Sequence, residues 1–246
     1  MQTARGFSLI EMAFVLVIIT LLLGGLLVPF ATQVEQRRIA ETNKAMEEIK
    51  EALLGFAVAN GRLPCPDTTI AGTNANDGLE DPPTGGPCAV PEGNLPRATL
   101  GVSNNDAWGN RFRYRVTDNF TTAGGITLGP PPTAGTLRVC SATGCGTGSI
   151  IANTIPAVVV SHGKNGYGAV NANIAAGNSG TNIAPFSPDE LANTNNDRDF
   201  VSRTITALSS PCGGAGQALC EFDDLVVWLS PNILYNRMVA AGKLPN

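Results

Sequence analysis

The sequence predicts an α+β chain. A long N-terminal helix, membrane-spanning in its first half and amphipathic in its second, packs on an antiparallel β-sheet domain with long loops and a short C-terminal helix. Three observations predict it. Residues 12–30 carry no charge, and Thr20 is their one polar side chain. Residues 31–60 then set apolar side chains at helical spacings. The remainder is turn-rich: the 246 residues include 28 Gly and 17 Pro and only 15% charged side chains, with short apolar segments bounded by Gly, Asn and Pro.

The first element follows from length. Residues 12–30, as a helix, rise about 28 Å, close to the ~30 Å hydrocarbon thickness of a bilayer. A cleavable secretory signal would need a basic n-region, a shorter apolar core and a small-x-small site, and the chain offers only Arg5 before a run that is too long. Glu11 is the single charge from Phe7 to Phe30. An acidic group inside an apolar helix costs on the order of 2.5–3.5 kcal/mol at mid-membrane and less near the interface. It therefore calls for a partner, and the run contains no Lys or Arg.

The residues Gly6-Phe7-Ser8-Leu9-Ile10-Glu11 resemble the N-terminal processing motif of type IV pilins and type II secretion pseudopilins. The resemblance implies a leader peptide over 1–6, cut between Gly6 and Phe7 by a prepilin peptidase, and methylation of the new Phe7 amine. It implies an assembly helix over 7–30 that spans the inner membrane, a continuation over 31–60 and a periplasmic domain over 61–246. It gives Glu11 a partner, the free amine of a neighbouring subunit, and a buried ion pair suits the setting of register between subunits. The implied partners are other pilin or pseudopilin subunits, the peptidase, the inner-membrane assembly platform and membrane lipid. No catalytic residue, metal or cofactor is implied. The length exceeds the usual need of a shaft-forming subunit, which points to a minor subunit of a type II secretion pseudopilus or a type IV pilus.

Charge and cysteines bound the rest. A net charge of −4 and a pI near 5.0 give no basic footprint for nucleic acid. Cys65, Cys88, Cys140, Cys145, Cys212 and Cys220 all follow the apolar run, and an even number in an anchored chain favours disulfides in an oxidising compartment. Short separations favour sequential pairing among the 15 connectivities six cysteines allow. Zinc is disfavoured, because no Cys-x-x-Cys occurs and His162 is the only histidine. Arg5 against Arg37 and Arg38 leaves the membrane orientation open by the positive-inside rule. The cysteines and the motif place the C-terminal domain outside.

Residues 31–60 continue the helix past a kink expected at Pro29. Val34, Ile39, Met46, Ile49, Leu53 and Phe56 form its apolar stripe, and Asn60-Gly61 closes it. Residues 63–102 read as loop, with Cys65 and Cys88 flanking its most polar part. The acid-rich segment 74–81 lacks EF-hand spacing and reads as solvated. Asp106-Ala107-Trp108-Gly109-Asn110 is a turn, and Arg111 to Val116 alternates strictly. That places Phe112, Tyr114 and Val116 inward and three arginines on a solvated face. The pair also resembles the Asp-Pro-Trp-Gly element of pseudopilins, with Ala107 in place of the proline.

Further strands are expected at 136–140, 157–161, 201–206 and 222–229. Ser161 and His162 invite a nucleophile–base reading, but neighbours on a strand point to opposite faces, and no Gly-x-Ser-x-Gly elbow is present. The segment resembles the late strand and Gly-rich loop of major pseudopilins, where acidic side chains bind calcium. Asn165 stands here where an Asp is expected, and Asp223 and Asp224 read as capping or exposed. The excursion 167–198 is poor in large apolar residues and reads as a partner-specific surface. Ser230, Pro231 and Gly242 bound a final helix whose Ile233, Leu234, Met238 and Val239 face the sheet. A second class of reading is a membrane-anchored periplasmic enzyme or ligand-binding domain that uses the helix as a tether.

Overall fold

A computed structural model of the chain describes residues 8–69, 76–81, 87–171, 181–207 and 221–244, with backbone alone at 22–30. It comprises two compact units, Met1–Ala40 and Glu41–Asn246. Helix α1 (Leu9–Asn60) contributes to both. Gly6, Phe7, Cys212 and Cys220 lie outside the described residues.

In the first unit α1 carries exposed large apolar side chains from Leu9 to Leu21. Thr20 is satisfied within the helix, its Oγ1 donating to the carbonyls of Leu16 and Val17 at 3.0 and 2.9 Å. Among the described residues no helix is long and apolar enough to cross a membrane. The run expected over 12–30 continues beyond Leu21 into positions whose side chains are outside that set.

In the second unit α1 buries a stripe at Thr42, Met46, Ile49, Leu53 and Ala57, steps of three and four that keep one face inward. This corrects the expected stripe at both ends: Val34 is exposed, Ile39 and Phe56 are only half-buried, and Leu54 and Ala57 join the core instead. Gly61, at φ 69°, follows the helix in the left-handed conformation that glycine adopts without a Cβ clash.

Against the stripe lies a four-stranded antiparallel sheet in the order β1 (Glu92–Asn94), β2 (Arg113–Val116), β5 (Ala157–Ser161), β7 (Leu225–Trp228). Strand β5 explains the layering. Its alternate side chains divide: Ala157 and Val159 enter the core beneath α1, whereas Val158 and Val160 enter a second core. That second core is closed by a three-stranded sheet, β4 (Ile150–Ile155), β3 (Leu137–Cys140) and β6 (Asp199–Val201), through Leu137, Val139, Ile155 and Phe200. A strand covered on both faces reads as an unbroken apolar run, as residues 157–160 of β5 do. Strands β1 and β4 are additions to the expected set. The strand expected at 201–206 is replaced by Asp199–Val201, which shares only Val201 with it, the one expected at 222–229 shrinks to Leu225–Trp228, and a Thr206–Phe222 bridge ties the two segments.

Short helices complete the unit: α2 (Arg97–Leu100), α3 (Pro188–Ala192) and α4 (Pro231–Ala240). Helix α4 buries Leu234 and Met238 in the first core but leaves Ile233 exposed, and Ser230 makes no side-chain cap bond. Cys65 is bonded to Cys88 and Cys140 to Cys145, each with Cα atoms 5.4 Å apart.

Two loop expectations change. Within the described part of the acid-rich segment, residues 76–81, two acids are held by the protein rather than by solvent. Glu80 is buried and receives Arg62 through two hydrogen bonds of 2.7 and 2.8 Å, and Asp77 receives both Arg97 and Arg111. The arginine face of β2 is not solvated either. Arg113 and Arg115 both pair with Glu92, and they donate to the carbonyls of Thr194 and Asn196 in the long excursion. Part of the surface assigned to a partner is therefore a cover laid over the protein's own sheet.

Candidate functional site

Two places carry chemistry. The first is the start of α1. Ser8 and Glu11 form reciprocal hydrogen bonds: the Ser8 N–H donates to Glu11 Oε2 at 2.8 Å, and the Glu11 N–H donates to Ser8 Oγ at 3.3 Å. This is a capping box, which satisfies donors that a helix start leaves open and sets a carboxylate at the positive end of the helix dipole. The Ser-x-x-Glu spacing was its signal in the sequence. Both groups are exposed, and around them Leu9, Ile10, Met12 and Phe14 are exposed as well. The structure thus places the single carboxylate of the segment, four residues after Phe7 in the sequence, at the head of an uncovered apolar helix.

The second place is polar and buried, where the end of β5, the start of β7 and α3 meet. The Ala107 turn precedes it. Asp106 Oδ1 accepts the N–H groups of Trp108 and Asn110 at 3.0 and 2.9 Å, and Gly109 takes φ 91° to close the turn. Ser161 Oγ donates to Asp106 Oδ2 at 2.7 Å, so the hydroxyl is committed to the turn rather than to His162. Burial holds the Asp106 carboxyl above its ordinary range. His162 is buried with no hydrogen bond at either ring nitrogen, and its Nδ1 lies 3.4 Å from Asp224 Oδ1. The serine–histidine geometry of nucleophilic catalysis is absent from this pair.

Glu190, Asp223 and Asp224 lie together, with one ligand-capable oxygen from each within 4.8 Å of the others. Helix α3 supplies Glu190, while the two aspartates enter just before β7. Asn165 donates through its side chain to Glu190 at 3.0 and 3.2 Å and through its backbone to Asp223 Oδ2 at 2.8 Å. Asn193 donates to Asp224 Oδ2 at 2.8 Å. The second oxygens, Asp223 Oδ1 and Asp224 Oδ1, are buried without a hydrogen-bond donor. Burial first, then the neighbouring Asp224 charge, pushes Glu190 up to about 8, and burial pushes Asp223 up to about 7. Crowded acids with unmet lone pairs fit a cation. Asp223 and Asp224 are therefore neither exposed nor mere caps. Sequence reading missed Glu190, which reaches the cluster from a segment more than thirty residues away.

A cleft of about 270 Å³ adjoins the sheet, lined among others by Asp67, Glu92, Arg111, Arg113 and His162. Its charges already serve one another: Arg113 pairs with Glu92, and Arg111 pairs with Asp77 and lies 3.8 Å from Asp67.

The comparisons with known proteins bear on the first place. Residues 1–27 match the family model of the prokaryotic N-terminal methylation motif, which is the type IV pilin and pseudopilin signature. The match covers Gly6, Phe7, Glu11 and most of the apolar run. No curated protein and no solved structure matches the chain.

Proposed function

We propose that the chain is a minor pilin or pseudopilin, a structural subunit of a type II secretion pseudopilus or a type IV pilus. It is held in the bacterial inner membrane by residues 7–30, with its C-terminal domain in the periplasm. A prepilin peptidase cuts between Gly6 and Phe7, and the Phe7 amine is methylated. Glu11 then pairs with the amine of a neighbouring subunit as the assembly platform draws the helix out of lipid and into the filament.

The observation that carries this reading is the methylation motif at residues 1–27, with Glu11 as the lone charge at the head of the helix. The exposed side chains of Leu9 to Leu21 support it, because a contiguous uncovered apolar surface marks contact with lipid or with other helices. The self-paired charges of the cleft favour a structural role over a tethered enzyme. The test is Glu11→Val in a strain that makes the filament. Membrane insertion stays intact and recovery in sheared filaments is lost. Normal incorporation of the variant would remove the pairing role. Deletion separates the two machines: loss of exoprotein export marks a secretion pseudopilus, and loss of twitching, adhesion or DNA uptake marks a pilus.

A further inference from the structure

We propose that the cleft beside β1 binds a neutral hydroxylated molecule, a single sugar ring, through the polar groups of Asn94, Arg111, Arg113 and His162.

Four side chains that line this cleft have unmet hydrogen-bonding capacity. Arg111 and His162 are 5% and 1% exposed, yet Arg111 Nε and both His162 ring nitrogens lack a hydrogen bond. His162 Nδ1 lies 3.4 Å from Asp224 Oδ1, so Nε2 is the nitrogen left for another partner. Arg113 directs Nε to Glu92 and Nη2 to the Thr194 carbonyl, and its Nη1 has no partner among the described residues. The same holds for the Asn94 side-chain amide. Buried polar groups in native proteins are almost always paired, so four unmet ones on a single cleft point to an occupant.

Charge decides the class of that occupant. The cleft is lined by two acids, Asp67 and Glu92, and two arginines, Arg111 and Arg113. Arg113 pairs with Glu92, and Arg111 pairs with Asp77 and lies 3.8 Å from Asp67. An ion entering this balanced wall finds no surplus charge to offset its lost hydration, whichever its sign. Hydroxyl groups both donate and accept, which suits donors at Arg111, Arg113 and Asn94 beside acceptors at Glu92 and the Asn94 carbonyl. Val90 and Val170 give the ring's C–H edges an apolar surface. The volume of about 270 Å³ lies just below the ~300 Å³ at which pockets for drug-sized ligands begin, which limits the occupant to one ring.

The walls are fixed by the protein's own backbone. Asp67 and Asn94 exchange backbone hydrogen bonds of 2.9 and 2.8 Å on one side. On the other, the Arg111 N–H donates to the Val170 carbonyl at 2.9 Å. Asp67 Oδ1 also accepts the Thr69 N–H at 2.9 Å, which holds the segment beside β1 in place. A cleft set in this way orders little on binding, and that favours even a small ligand. The proposal concerns the C-terminal domain alone and does not depend on filament assembly.

The test uses the full chain in a zwitterionic detergent that carries no sugar headgroup. D-glucose, D-galactose and N-acetyl-D-glucosamine are titrated separately, with sodium acetate and sodium phosphate as anionic rivals, and binding is followed by ligand-observed NMR. At least one sugar binds saturably, and acetate and phosphate bind at least tenfold more weakly. Asn94→Ala weakens sugar binding by about threefold to tenfold, the value of one hydrogen bond. Val90→Trp, at a position 41% exposed on the cleft wall, fills the space and removes binding. Both variants keep the wild-type melting transition, which separates loss of the ligand from loss of the fold. Should Val90→Trp misfold, Asn94→Ala decides. Absence of saturable binding by all three sugars would leave the cleft to water and overturn the proposal. Tighter binding of acetate or phosphate, or wild-type sugar affinity in either folded variant, would overturn it as well.

Discussion

Glu80→Ala tests how the loop after α1 is held. Arg62 and Glu80 are both buried, with side chains 8% and 7% exposed, and are joined by two hydrogen bonds of 2.7 and 2.8 Å. The same carboxylate accepts the Cys65 N–H at 3.1 Å, so three donors converge on it. Glu80 holds the Arg62 guanidinium above its ordinary value, which is the expected sign for a cation kept charged inside the protein. Removing one partner strands the other, and for buried pairs that costs about 3–5 kcal/mol. With a urea m-value of about 2 kcal/mol per molar, the midpoint falls by roughly 1.5–2.5 M. The assay is equilibrium urea unfolding of the full chain in detergent, read by tryptophan fluorescence. The companion variant Arg62→Met/Glu80→Leu removes both charges and recovers most of the loss, since a buried pair replaced by apolar side chains of similar volume is often neutral. The reasoning fails if Glu80→Ala costs under about 1 kcal/mol, the value of an exposed pair. It fails equally if the double variant is as unstable as the two single losses added together.

Two further outcomes are expected. Cys65→Ser/Cys88→Ser opens a closure of 23 residues and lowers stability by about 3 kcal/mol, seen as a reduced unfolding midpoint in the same denaturation assay. Gly135→Ala drives a methyl group into the backbone carbonyls of Thr154 and Ile155 at the end of β4, so it destabilises by about 1–3 kcal/mol, and calorimetric melting of the variant reads the loss.

Much of this fold was legible because its signals are local. The apolar run, the alternation at Phe112, Tyr114 and Val116, and the unbroken apolar run of β5 each report a periodicity contained within a few residues. The errors came from contacts between distant segments. The arginine face of β2 reads as solvated because nothing nearby announces Glu92, Thr194 or Asn196 as its cover. Strand β1 has three residues, too few for a pattern, and β4 exposes Ile150 and Ile151, which breaks the inward–outward alternation that marks a strand. The carboxylate cluster was half visible: Asp223 and Asp224 are adjacent in sequence, whereas Glu190 joins them only through the path of the excursion. The Ser8–Glu11 box is fully written in the sequence, as a Ser-x-x-Glu spacing ahead of an apolar run.

The most direct measurement of the central claim is the mass of the mature N-terminus. The full chain is produced in cells with and without the prepilin peptidase, purified from membranes and analysed intact and by N-terminal peptide. With the peptidase, the account predicts a chain beginning at Phe7 and carrying one added methyl group on its α-amine. Without it, residues 1–6 remain. A chain that keeps Met1 to Gly6 in the presence of an active peptidase would contradict the account, and Glu11 would lose the partner that cleavage creates.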